Sequence, residues 1–230
     1  MVRHIPNFLT LLNLFCGCIA LTFVANARYD WAFAFVCLGI FFDFFDGFLA
    51  RKFNVAGPLG VQLDSLADMI TSGVVPGYVV YAMIGSNTNL HLAIPYLGFI
   101  ITLGACYRLA NFNIDTRQSD SFIGLPTPAN ALFFLSLPII KEQTDSLLLL
   151  EMLINPWFLI FLSVVSAWVM NAELPLFSLK VKQFSWAKNW VQVVFLSVSA
   201  LLIMLFQVAA IPVVIGFYVV LSALVRKTRP

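Results

Sequence analysis

Four aspartates, Asp43, Asp46, Asp64 and Asp68, stand in the stretch FFDFFDGFLARKFNVAGPLGVQLDSLADMI, residues 41–70 of a chain that is 61% hydrophobic. On a helix, Asp43, Asp46, Gly47, Ala50 and Arg51 fall within an arc of about 140°, and Gly57, Gly60, Asp64 and Asp68 within about 80°. Each helix therefore carries one face of carboxylates and very small residues, where something bulky can approach the backbone. An ionised Asp costs roughly 2.5–3.5 kcal/mol at the centre of a membrane helix, and four together repel one another. Hard divalent cations resolve that conflict, because they take oxygen ligands and neutralise the cluster. Two such ions a few ångströms apart can grip the attacking and leaving oxygens of a phosphoryl transfer. Arg51 offers a planar fork for a phosphate oxygen. The plain alternative, Asp–Arg or Asp–Lys pairs at a helix end, can use Arg51 and Lys52 but leaves at least two carboxylates unmatched.

These aspartates must be positioned by membrane helices. The 230 residues have a mean hydropathy of +0.93 and only 10% charged residues. Several apolar runs reach the roughly 17–25 residues that a spanning helix needs. The expected fold is an all-α polytopic integral membrane protein of one domain over 1–230, with eight transmembrane helices near 7–25, 30–53, 59–84, 92–112, 127–141, 151–171, 188–206 and 209–226. Breaks at NARYD, NVAGP and GSNTN separate the first four, and QVAAIP can close a hairpin between the last two. Residues 141–151 can extend either neighbour as an amphipathic stretch. With the N-terminus inside, 11 of the 13 basic residues fall in inside segments and only Arg28 and Lys141 outside. That asymmetry predicts cytoplasmic termini and puts the aspartate-bearing helix ends on the cytoplasmic face. Residues 25–27, ANA, resemble a signal-peptidase site, but cleavage there leaves seven helices and spoils the charge balance. A net charge of +2 gives no nucleic-acid footprint. Cys16, Cys18, Cys37 and Cys106 lie in apolar runs and read as small packing residues, and His4 and His91 as interfacial.

The pattern Asp43-x2-Asp46-Gly47-x2-Ala50-Arg51-x8-Gly60-x3-Asp64-x3-Asp68 resembles the signature of the CDP-alcohol phosphotransferases, with every signature position filled. The resemblance implies two divalent ions, Mg²⁺ or Mn²⁺, held by Asp43, Asp46, Asp64 and Asp68. It also implies CDP bound near Gly47, Ala50, Arg51 and Gly60, and Asp68 as general base.

The signature fixes the donor half of the reaction, and other stretches bear on the acceptor. IPNFLTLLNLFCG at 5–17, LDSLADMITSGVVP at 63–76, YRLANFN at 107–113 and FIGLPTPANA at 122–131 are similar to the bacterial membrane-integral phosphatidylserine synthases. Related sequences often carry Arg where this chain has Asn111. The expected reaction is transfer of the phosphatidyl group from CDP-diacylglycerol to L-serine, with release of CMP, by a multi-pass protein of the cell membrane. The family suggests a homodimer. The carboxylate of serine wants a cation, and Arg108 is the candidate, unless it only anchors the helix by snorkelling to headgroups. Asn111 and Asn113 offer amides, and the turn from Gly124 to Pro128 can shape the acceptor pocket, within an acceptor region of about 107–131, or simply start a helix. The rival readings are the same chemistry on glycerol 3-phosphate or an inositol phosphate, which would favour more basic residues, and a cation transporter, which has no use for the Gly and Arg positions of the signature.

Overall fold

The computed structural model describes residues 4–86, 90–115, 122–176 and 186–227. Among them the chain is a bundle of α-helices. Helix α1 (Ile5–Ala25) begins at Pro6, whose fixed φ and missing N–H suit a first turn. It returns through a tight turn into α2 (Tyr29–Lys52), which ends at Asn54 in the left-handed region, φ 53°. The third crossing starts with Gly57 and Pro58 and has three parts: α3 (Pro58–Asp68), a π-helical turn (Met69–Val74) and α4 (Val75–Gly85). A 3₁₀ segment (Ile94–Phe99) leads into α5 (Ile100–Ile114).

After β1 (Phe122–Ile123) come α6 (Thr127–Gln143), α7 (Leu147–Ile154) and α8 (Pro156–Asn171). The Asn155 side chain caps α8 by accepting from the Trp157 and Phe158 amides. Residues β1 and β2 (Pro175–Leu176) form a two-residue antiparallel pair, the only strands among the described residues. Helices α9 (Trp186–Phe206) and α10 (Ala210–Lys227) flank a 3₁₀ turn, Gln207–Ala209. They fold back on each other, because Phe195 stacks on Phe217 at 5.8 Å between ring centroids.

The core is made by α1, α2, α4, α5, α6 and α8, with Val24, Val36, Val79, Ile101, Phe134 and Leu159 fully enclosed. Small residues let the helices approach closely. A Cβ at Gly17 or Gly39 would press on Thr71, and one at Gly104 on Ala167. Large apolar side chains such as Phe44, Leu103, Trp157 and Met204 face outward, as bilayer-facing residues do.

The molecule is a multi-pass membrane protein. Among the described residues, five helical runs are long and apolar enough to span by length and composition, or six when the bent pair α7–α8 counts as one, against the expected eight. Two physical features account for the difference. Helix α6 has only 17 residues and carries Lys141 and Glu142 in its last turn. Residues 190–222 count as one apolar run of 33 residues, although α9 and α10 fold back on each other at the Gln207 turn. The segment expected at 151–171 is also bent, by 73° between α7 and α8. The ambiguous stretch 141–151 divides between its neighbours. Cys16 is buried as expected, but Cys18 and Cys106 are exposed. Of the basic residues behind the expected orientation, Arg3, Arg117, Lys180, Lys182 and Arg229 lie outside the described residues.

Candidate active site

Helices α2 and α3 place Asp43, Asp46 and Asp64 so that one carboxylate oxygen from each lies within 4.8 Å of the others. This follows from the pairing of the two polar faces across the turn at residues 53–57. Asp68 stands a turn beyond Asp64, within electrostatic reach of Asp43 and Asp64. Among the described residues no Lys or Arg forms an ion pair with any of the four; Arg28 pairs instead with Asp30, at 3.8 Å. The plain alternative of charge pairing at a helix end is therefore absent there. A converging set of hard oxygen donors without a cationic partner fits a divalent cation.

A cavity of about 200 Å³ opens beside the carboxylates. Asp46, Gly47, Ala50, Arg51, Gly60 and Asp64 all line it, joined by Pro6, Asn7 and Thr10 of α1. The Arg51 side chain folds back toward Gly47, where a Cβ would stand 3.4 Å from a guanidinium nitrogen. Gly60 leaves room on the facing helix, with the Asn7 side-chain oxygen 3.6 Å from where its Cβ would be. The walls thus combine carboxylates, one planar cation and bare backbone, the chemistry that a pyrophosphate with bound cations requires.

Helix α1 supplies what the reading of the sequence missed. Thr10 Oγ1 donates to Asp46 Oδ2 at 2.5 Å, and Asn13 Nδ2 donates to Asp68 Oδ1 at 3.1 Å. The signal was present: Asn7, Thr10 and Asn13 form a polar stripe, within an arc of about 120°, on an otherwise apolar helix.

The expected acceptor residues lie on α5 and on the turn before α6. Arg108 on α5 is buried, lies within electrostatic reach of Asp68, and its Nε has no hydrogen-bond partner. Ser72, one turn beyond Asp68, also has a buried hydroxyl without a partner. Asn111 is exposed. Asn113 is engaged with Ser65, donating from Nδ2 at 2.9 Å, and so ties α5 to α3. Gly124 adopts φ +74° and its amide donates to the Leu174 carbonyl at 2.9 Å. It docks the proline-rich turn on the end of α8, where a side chain would collide with the Met170 carbonyl.

Residues 3–169 match the CDP-alcohol phosphatidyltransferase family, and the chain belongs to that family. It is similar to the CDP-diacylglycerol–serine O-phosphatidyltransferase of Bacillus subtilis (strain 168), 34% identical over 131 residues, 55% of this chain and 71% of that protein. The protein of the same name from Methanocaldococcus jannaschii is 38% identical over 128 residues, covering 56% of this chain and 57% of that one. The Saccharomyces cerevisiae protein of that name is 35% identical over 150 residues, 58% and 53% of the two chains. The matched part thus spans about half the length of the latter two relatives.

Proposed function

We propose that this protein is a CDP-diacylglycerol–serine O-phosphatidyltransferase of the cell membrane. The observation that carries the reading is the cavity in which the unpaired carboxylates, Arg51 and bare glycine backbone meet. The names of the relatives support serine as the acceptor. Asp43, Asp46, Asp64 and Asp68 would hold divalent cations, Mg²⁺ or Mn²⁺, which when bound offset the charge of the pyrophosphate and of the departing CMP. Gly47, Ala50 and Gly60 give the CDP moiety access to the backbone, and Arg51 grips a phosphate oxygen. The serine hydroxyl oxygen attacks the phosphorus on the diacylglycerol side. The new P–O bond forms as the bridging P–O bond breaks, and its electron pair leaves with CMP. Asp68 takes the hydroxyl proton.

Arg108 is the cation for the serine carboxylate, a role supported by its buried, unpartnered Nε and its closeness to Asp68. Ser72 is a second unpartnered donor on the same helix face as Asp68. Asn111 and Asn113 on α5 and the Gly124 turn would complete the acceptor region around Arg108. The protein works as a homodimer with both termini in the cytoplasm, a reading supported by the family and by the distribution of Lys and Arg.

The test is an acceptor screen with purified protein and CDP-diacylglycerol. CMP release is expected with L-serine and a divalent metal, and not with either alone. Turnover on glycerol 3-phosphate or an inositol phosphate in place of serine would move the protein to another branch of the family.

A further inference from the structure

We propose that Asn13 is a positioning residue for Asp68, and that Thr71 fixes the amide that does the positioning. The inference rests on the reading of Asp68 as cation ligand and proton acceptor. Asn13 lies in the middle of α1 and is fully buried. A primary amide so enclosed in a membrane protein is costly unless its groups are used, and here both ends are. Its Nδ2 donates to Asp68 Oδ1 at 3.1 Å, and its Oδ1 accepts from Thr71 Oγ1 at 2.8 Å. An ionised carboxylate only accepts and an amide oxygen only accepts. Asp68 therefore takes the amide NH₂, and the Thr71 hydroxyl, whose one proton is shared between the Asn13 amide oxygen and the Ala67 carbonyl, holds the other end of the amide in that orientation. One oxygen of Asp68 is committed to Asn13, and the other is left for the reacting centre.

The surroundings are shaped for this contact. Thr71 is also fully buried and lies in the π-helical turn that follows Asp68 directly. Such turns widen the helix and re-aim the side chains they carry. The Thr71 hydroxyl is also 2.7 Å from the Ala67 carbonyl, so its χ1 is held on the helix side. Two glycines on two other helices make room. A Cβ at Gly39 would stand 2.8 Å from Asn13 Oδ1 and 2.9 Å from Thr71 Cγ2, and one at Gly17 3.0 Å from Thr71 Cγ2. Helices α1 and α2 and the π-turn thus meet around one amide whose free end faces Asp68.

The experiment compares Asn13→Ala, Thr71→Val and Thr71→Ser with wild type in detergent. Three quantities are read: Mn²⁺ binding in the absence of substrates, kcat with KM for CDP-diacylglycerol, and the thermal midpoint. Loss of an outer partner of a metal-binding carboxylate costs about 10–100-fold in metal affinity or activity. Asn13→Ala is expected to weaken Mn²⁺ binding and lower kcat by that order, with KM for the donor unchanged within twofold. Thr71→Val keeps the buried shape but removes the donor. It should show the same pattern at about tenfold, at an unchanged thermal midpoint, and Thr71→Ser should restore it. Mn²⁺ affinity and kcat at wild-type levels in folded Thr71→Val overturn the proposal. So does a loss that follows only the thermal midpoint and that Ser does not rescue. Failure of serine-dependent CMP release by wild type would instead overturn the acceptor assignment, and the Mn²⁺ comparison would still decide the role of Asn13.

Discussion

At the scale of the residue, the site separates into groups that carry charge and groups that aim it. Asp43 and Asp64 belong to the first kind. Asp43→Asn or Asp64→Asn removes one ligand charge from a triad within 4.8 Å, and either should abolish turnover while leaving the thermal midpoint near wild type. Near wild-type kcat at saturating Mg²⁺ and Mn²⁺ would remove the basis for a metal-dependent reaction. Arg51 and Arg108 should divide the two substrates. Arg51 lines the cavity, and Arg108 stands on α5 within electrostatic reach of Asp68. A charge-assisted contact is worth about 1.5–3 kcal/mol, so Arg108→Ala should raise KM for serine roughly ten- to a hundredfold and leave KM for CDP-diacylglycerol alone. Arg51→Ala should do the reverse. Steady-state kinetics with each substrate varied in turn resolves the two. Equal effects of Arg108→Ala on both substrates would place it outside the acceptor pocket.

At the scale of the element, close helix contacts hold these groups in register. Gly39→Ala inserts a methyl against Asn13 and Thr71. Over-packing of that kind costs about 1–3 kcal/mol, so a lower thermal midpoint is expected together with reduced turnover. Gly124→Ala should destabilise by at least about 1–2 kcal/mol, the cost of a left-handed side chain, and leave KM for CDP-diacylglycerol unchanged, because the turn contacts α8 and not the cavity. Much of this level was legible in the sequence. The bounds of α1 and α2 follow from apolar length and from punctuation such as NARYD and NVAGP, whereas the run expected at 92–112 begins as a 3₁₀ segment and becomes α-helical only at Ile100. The donor face of the site follows from 3.6-residue periodicity. What escaped has physical reasons. The π-turn after Asp68 depends on packing against α1 and α2, which no local propensity encodes. Asn113 reads as a free amide until Ser65 is seen opposite it. Gly124 marks a turn whose partner lies some fifty residues further along the chain, at Leu174.

At the scale of the whole molecule, charge distribution predicts orientation. Reporters fused after Arg117 and after Lys182 should both be cytoplasmic, and one near Asn87 should be outside. An external signal at Lys182 would rule out the expected arrangement of the later helices; by apolar length alone the described residues hold five or six spans. The cavity has a further consequence. It holds Asp46, Asp64 and Arg51, while Phe44, Phe48, Leu59 and Leu66 on the same two helices face outward, toward lipid. The donor of the proposed reaction would then diffuse in two dimensions and the acceptor in three. Diluting CDP-diacylglycerol with inert detergent or lipid at constant bulk concentration should slow turnover as its mole fraction falls. Diluting serine should follow ordinary molar saturation, so one catalyst would obey a surface concentration on one side of its reaction and a volume concentration on the other.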